Sequence, residues 1–154
     1  MSYSDSIKIL QTSATTKFNS GYNCAQSVLG AFAEDLGIEE NIANSITSGF
    51  GAGMGRMQKT CGAVTGAFMV LSYWSSLKNR GNPEAKEEAI LKIREFNARF
   101  LAKHNSTDCL TLLNCDLNTG PGKEEYEIKN LRESVCEKCI SDSILLTSEL
   151  LKQS

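Results

Sequence analysis

The chain has 154 residues, of which 41% are hydrophobic, enough for one domain with a hydrophobic core. Its net charge is -2 with acidic and basic residues interleaved, so we expect neither a nucleic-acid partner nor a polybasic membrane contact. No apolar run is long enough to span a membrane, and the first residues, MSYSDSIKIL, lack the pattern of a secretory signal, so we expect a cytoplasmic protein.

Apolar residues recur at helical spacing along most of the chain, and no alternating strand pattern occurs. We therefore expect an all-α, single-domain helical bundle of five or six helices over residues 1–154. The predicted helices lie near residues 4–17, 23–36, 39–47, 61–77, 83–104 and 133–151. Asn23 and Gly37 suit the two ends of the second helix, and Pro83 suits the first turn of the fifth. A turn-rich loop is expected over residues 114–123.

The stretch GFGAGMGRMQKTCGAVTGAF, residues 49–68, holds half of the 12 glycines in the chain. It fits neither the G-x-G-x-x-G nor the G-x-x-x-x-G-K nucleotide-binding pattern. A glycine-rich loop that runs into a helix start can still place backbone N–H groups against an anion, a thiolate or the sulfurs of a cluster. The candidate cofactor-binding residues are Gly51, Gly53, Gly55, Cys61 and Gly62.

Gly62 and Gly66 are four residues apart, so a helix there presents a smooth groove to another backbone. The groove serves either ordinary helix packing or contact with a second chain, and we expect a homodimer because the groove and the low aromatic content suit helix packing between chains. Arg56 and Lys59 precede Cys61, either as a solvated basic loop or as a source of positive potential. If the thiols react, we expect Cys61 to be among the fastest.

Four of the six cysteines stand at predicted helix starts. Asn23, Thr60 and Asp108 are suitable caps for Cys24, Cys61 and Cys109, and the capping box of Ser134 and Glu137 surrounds Cys136. The partial positive charge at a helix N-terminus stabilises a thiolate and lowers the pKa of a thiol. Thiolates attack disulfides and bind metals, so the candidate catalytic and metal-ligating residues are Cys24, Cys61, Cys109 and Cys136. The alternative is that these thiols are buried small hydrophobic side chains.

Cys136 and Cys139 form a C-x-x-C pair, but the βαβ setting of thioredoxin is missing. A zinc site would need Cys109 or Cys115 in addition to this pair. Cys115 alone is better explained as a core or loop thiol. The one histidine, His104, lies at a predicted helix end, where it is expected to cap carbonyl groups rather than to catalyse.

The ordered motifs N-C-A-Q-S-V, G-F-G-A-G-M-G-R, C-G-A-V-T-G-A-F, D-C-L-T-L-L-N and C-E-K-C-I resemble the C-GCAxxG-C-C family of redox-active proteins. The resemblance runs from about residue 20 to 150 and implies that the four family cysteines are Cys24, Cys61, Cys109 and Cys136. The chain reads Cys-Gly-Ala where the family label reads Gly-Cys-Ala, and Cys115 and Cys139 lie outside the pattern. A similar domain in a multihaem cytochrome of the split-Soret type implies iron–sulfur ligation.

Three functions stay open at this stage. In the first, the four cysteines serve an unknown redox partner protein, either as ligands of an iron–sulfur cluster or in thiol–disulfide exchange. In the second, zinc is held by four cysteines in a structural module without redox activity. In the third, the thiols are inert and the glycine groove binds a partner helix. The expected cofactor is accordingly an iron–sulfur cluster, zinc or none.

Overall fold

The computed structural model of the chain describes residues 1–80 and 82–153. Its eight α-helices within these ranges are α1 Tyr3–Asn19, α2 Cys24–Leu36, α3 Glu40–Thr47, α4 Gly62–Lys78, α5 Glu84–His104, α6 Cys109–Leu113, α7 Gly120–Ile128 and α8 Lys138–Lys152. A π-helical segment, Arg132–Glu137, leads directly into α8. The only extended pairing in the described part is an isolated antiparallel bridge between Thr60 and Asp108, so the predicted all-α class is confirmed.

The predicted number of helices was too low, because the region after residue 108 is more helical than expected. Asp108, predicted as the cap for Cys109, begins the short helix α6. The predicted loop over residues 114–123 ends early, since the Thr119 hydroxyl accepts the N–H of Gly122 and begins α7. Pro121 fits in the first turn of α7, where a missing N–H group costs nothing.

Local capping signals place α2 as predicted. The side chain of Asn23 accepts the N–H of Gln26 at 2.8 Å, and the side chain of Gln26 accepts the N–H of Asn23 at 2.9 Å. Gly37 ends the helix in the left-handed conformation, with φ of 68°. This reciprocal cap fixes Cys24 as the first residue of α2.

Helices α2 and α4 pack closely because the small residues of α4 admit the backbone of α2. A Cβ atom at Gly66 would lie 2.9 Å from the carbonyl oxygen of Ala25, and one at Gly62 would lie 3.0 Å from the Cβ of Cys24. The glycine groove is therefore filled by α2 of the same chain and is not free for a second chain. The homodimer stays a prediction, without this groove as its basis.

Helices α4, α5 and α8 complete the core around aromatic side chains. Phe96 and Phe100 of α5 are fully buried and stacked, and Phe68 of α4 meets Phe96 edge to face. Leu101, the next residue after Phe100, is 39% exposed. His104 stacks on Phe100, and its Nε2 lies 2.8 Å from Oδ2 of Asp142, so it connects α5 to α8 instead of capping carbonyls.

The glycine-rich stretch before α4 forms a left-handed turn. Five consecutive residues have positive φ angles: Ala52, Gly53, Met54, Gly55 and Arg56. Backbone bonds close the turn from the N–H of Gln58 to the carbonyl of Ala52 at 2.9 Å and from the N–H of Lys59 to that of Gly53 at 2.8 Å. A Cβ at Gly53 would lie 2.5 Å from the backbone nitrogen of Lys59, so only glycine fits this position.

A helix that crosses a membrane needs about 20 predominantly apolar residues. Among residues 1–80 and 82–153, no helix combines the length and the apolar character that a membrane crossing requires.

Candidate functional site

A cavity of about 250 Å³ lies between the starts of α2 and α4, α6 and the π-helical segment. Five of the six cysteines line it: Cys24, Cys61, Cys109, Cys136 and Cys139. The structure thus brings the four predicted cysteines to one cavity and adds Cys139. Most of the remaining wall is apolar, with Leu112, Leu113 and Val135 as examples.

The predicted glycine residues divide between two places. Gly53 and Gly62 line the cysteine cavity. Gly51 and Gly55 instead line a separate depression beside Arg56. Only part of the glycine run therefore borders the thiols.

Cys61 and Cys109 are held beside each other by backbone hydrogen bonds between two loop segments. The N–H of Cys61 donates to the carbonyl of Thr107 at 2.7 Å, and the N–H of Cys109 donates to that of Lys59 at 2.7 Å. Cys109 is the first residue of α6, as predicted from the Asp108 cap. Our placement of Cys61 was one residue off: Cys61 itself is the N-cap of α4, and Thr60 precedes it in the bridge.

The predicted capping box around Cys136 is wrong. The hydroxyl of Ser134 donates to the carbonyl of Asn130 at 3.1 Å, and the carboxylate of Glu137 accepts from the Asn19 amide at 3.1 Å. The backbone is already helical before Cys136, so Cys136 does not lie at a helix N-terminus. Cys136 lies instead in the π-helical segment, a type of helical irregularity that is frequent at functional sites.

Cys24 and Cys136 form the first thiol pair. The Cys24 thiol donates a hydrogen bond to the sulfur of Cys136, which lowers the pKa of Cys136 to about 7. The Tyr126 hydroxyl, 3.6 Å from this sulfur, and the positive charge of Arg132 lower that pKa further. The same contact and burial raise the pKa of Cys24 well above its ordinary value.

Cys61 and Cys139 form the second thiol pair. The thiol of Cys139 donates to the sulfur of Cys61 and lowers the pKa of Cys61, while the pKa of Cys139 is raised by the same bond and by burial. Backbone N–H groups of Val64 and Ala63 face the Cys61 sulfur and also lower its pKa, although neither makes a well-formed capping bond. The predicted lowering of the thiol pKa by a helix start therefore holds for Cys61.

The predicted lowering of pKa at helix starts is wrong for Cys24 and Cys109. Burial raises the pKa of Cys109 to about 12, and the neighbouring sulfur of Cys61 adds to the effect. Desolvation disfavours a thiolate more than the five-residue helix α6 stabilises it. Cys115 is buried beside Cys109 and Leu113, as expected for a core thiol, and burial raises its pKa too.

Tyr126 and Arg132 are site residues that the sequence did not indicate. Tyr126 lies on α7, which was predicted to begin as loop, and no motif marks it. Arg132 donates to the carbonyl of Phe18, and its guanidinium lies 3.8 Å over the Phe18 ring, so it is fixed against α1. By contrast, Arg56 and Lys59 are exposed, in agreement with a solvated basic loop.

The arrangement of the thiols bears on metal binding. Among the residues that the structure describes, no group of three or more His, Cys, Asp or Glu side chains is placed so that it could hold a metal ion. The cavity contains two thiol pairs instead of a tetrahedral set, so the geometry as it stands does not fit a single zinc ion.

The chain is thus a small all-helical protein with five of its cysteines around one cavity. A family model described as "Putative redox-active protein (C_GCAxxG_C_C)" matches residues 22–150, and the chain belongs to this family. The comparisons with curated proteins and with solved structures gave no significant match. The family description assigns redox activity as a class and names no reaction, cofactor or partner.

Proposed function

We propose that this protein performs thiol–disulfide exchange, with Cys24 and Cys136 as its reversible dithiol couple. The observation that carries the proposal is that Cys24 and Cys136 line one cavity, where the Cys24 thiol lowers the pKa of Cys136. Both residues are half-buried, so a substrate can reach them from the cavity. The lowered pKa of Cys136 supports its role as the attacking thiolate.

The exchange follows from these positions. The thiolate of Cys136 attacks one sulfur of a substrate disulfide, which breaks the substrate S–S bond and releases the first substrate thiolate. Cys24 then loses its proton and attacks the sulfur of Cys136, which releases the second substrate thiolate. The substrate gains two electrons and the chain gains one disulfide between Cys24 and Cys136. A partner protein with a dithiol is needed to return the chain to its reduced form.

Tyr126 and Arg132 support the first step of this reaction. The hydroxyl of Tyr126 lies 3.6 Å from the Cys136 sulfur and donates to it when that sulfur is ionised, and Arg132 places positive charge near it. Both interactions favour the thiolate over the thiol. They also stabilise Cys136 as the leaving group when the disulfide is reduced again.

Iron–sulfur ligation is the second candidate, favoured by the convergence of the four family cysteines on one cavity. Visible spectra and iron, zinc and sulfide analysis of one anaerobic preparation separate the candidates. Thiol–disulfide exchange predicts colourless, metal-free protein. Stoichiometric iron and sulfide would contradict exchange and support cluster ligation. Stoichiometric zinc without a redox couple would instead support the structural module.

The direct test of exchange is an equilibrium titration in glutathione redox buffers, read by counting alkylated thiols. We expect the wild-type chain to lose thiols reversibly, and we expect the Cys136→Ser and Cys24→Ser variants to lose the Cys24–Cys136 bridge. Cys115→Ser is the matched control, because Cys115 does not line the cavity and its replacement should leave that bridge unchanged. No reversible bridge between Cys24 and Cys136 in the wild-type chain would contradict the proposal.

A further inference from the structure

The second thiol pair lies deeper than the first. Cys61 is 7% exposed and Cys139 is 1% exposed, whereas Cys24 and Cys136 are half-buried. An external disulfide therefore has much better access to the first pair. Cys61 and Cys139 nevertheless line the same cavity and belong to the same buried cluster, and the Cys139 thiol lowers the pKa of Cys61, so these two residues are placed to form a disulfide of their own.

Cys136 and Cys139 connect the two pairs. They are three residues apart where the π-helical segment joins α8, so their side chains lie on neighbouring turns of one continuous helix. This C-x-x-C spacing is the one across which redox proteins form reversible disulfides. One member of each pair is thus within reach of a member of the other.

We propose that Cys61 and Cys139 form a second, internal dithiol couple, which exchanges with the Cys24–Cys136 couple through a transient Cys136–Cys139 disulfide. The inference rests on the proposed function above. It assigns a role to Cys139, which lies outside the four-cysteine pattern, and makes the chain a carrier of four electrons instead of two.

The exchange is balanced within the chain. First, the Cys139 sulfur attacks that of Cys136, the bond to Cys24 breaks, and Cys24 leaves as a thiolate that receives the proton of Cys139. Next, the Cys61 thiolate attacks the sulfur of Cys139, the bond to Cys136 breaks, and Cys136 leaves as a thiolate. One disulfide is broken and one is formed, so no further oxidant is required. The outer pair is then free to reduce a second substrate disulfide.

The test introduces a single disulfide into the reduced full-length chain and follows its position over time. One equivalent of diamide removes two electrons and two protons, the remaining thiols are alkylated at increasing times, and the bridge is located by peptide mass spectrometry. We expect the Cys24–Cys136 bridge first and the Cys61–Cys139 bridge later, with the total number of bridges unchanged. In the Cys136→Ser variant the Cys61–Cys139 bridge should be lost, and in the Cys115→Ser control the time course should be unchanged.

The outcomes separate this inference from the proposed function. A Cys24–Cys136 bridge that persists while Cys61 and Cys139 stay reduced would overturn the internal couple and leave the proposed function intact. A Cys61–Cys139 bridge that forms at the wild-type rate in Cys136→Ser would overturn the exchange route. If Cys24 and Cys136 never form a bridge, both proposals fail. The wild-type time course decides the first and third cases without any variant, so a loss of folding in a mutant does not obscure them.

Discussion

The reactivity of Cys136 depends on neighbours that donate to its sulfur. With its pKa lowered to about 7, a large fraction of this thiol is ionised at neutral pH. We expected Cys61 to be among the fastest thiols, but Cys61 is buried and the cations before it, Arg56 and Lys59, are exposed. We now expect Cys136 to be alkylated faster than Cys61.

Replacing Tyr126 tests the origin of this reactivity. Tyr126→Phe removes a hydroxyl that donates to the Cys136 sulfur and should raise the pKa of Cys136 from about 7 to about 8, because a hydrogen bond to a charged group contributes about 1.5 kcal/mol. The measurement is the pH dependence of iodoacetamide alkylation at Cys136. The midpoint should move to higher pH.

The matched control is Tyr73→Phe, since Tyr73 lines a different cavity and is part-exposed. Its midpoint for Cys136 should equal that of the wild-type chain. An unchanged midpoint in Tyr126→Phe would show that the hydroxyl does not stabilise the thiolate.

The left-handed turn over residues 52–56 is the element that brings the chain from α3 to Cys61. Gln58, at its end, is buried and binds the loop after α6: its amide donates to the carbonyl of Cys115 at 2.9 Å and accepts the N–H of Leu117 at 2.7 Å. Non-glycine residues in a left-handed conformation cost about 1–2 kcal/mol each. The turn is therefore maintained by its surroundings.

Two methionines in this stretch provide a matched test of that strain. Met54 has φ of 66°, whereas Met57 is not among the residues with positive φ. Met54→Gly should raise the free energy of unfolding by about 1 kcal/mol, because glycine adopts positive φ without steric cost. Met57→Gly should lower it by about 0.5–1 kcal/mol through backbone entropy. Urea unfolding of the two variants measures both values, and equal effects of the same sign would contradict a strained turn.

Across the whole chain, the first thiol pair joins the start of α2 to the π-helical segment before α8. A disulfide between Cys24 and Cys136 would close a loop of more than one hundred residues. Loops of this length gain about 4–5 kcal/mol from the reduced entropy of the unfolded chain. Oxidation should therefore change the stability of the entire fold as well as the chemistry of the cavity.

We expect the oxidised chain to have a free energy of unfolding about 4 kcal/mol higher than the reduced chain, in urea titrations with and without reductant. The Cys24→Ser variant should lose the part of this difference that comes from the Cys24–Cys136 bridge. An oxidised wild-type chain no more stable than the reduced one, with the bridge verified by mass spectrometry, would show that strain in the native state cancels the entropic gain.

Some helix caps that depend on residues close together in the sequence were predicted correctly. The reciprocal cap of Asn23 and Gln26, the left-handed Gly37 and the Asp108 cap of α6 each involve partners at most four residues apart. They placed Cys24 and Cys109 at helix starts correctly. Helix α7 was missed because its Thr119 cap follows turn-forming residues that favour a loop equally well.

The chemistry of the thiols depends on contacts that no local pattern encodes. Cys139 meets Cys61 from a distant part of the chain, and the contact of Tyr126 with Cys136 requires α7 to fold back beside the π-helical segment. The hydrogen bond with Cys136 together with burial reversed the expected pKa shift of Cys24, and burial reversed that of Cys109, since these interactions exist only in the packed core. Local sequence thus placed Cys24 and Cys109 at helix starts, because capping acts over one turn, but it misplaced Cys61 by one residue and Cys136 entirely. The pairing and ionisation of the thiols follow only from how the helices pack, because hydrogen bonding and desolvation act between segments that meet after folding.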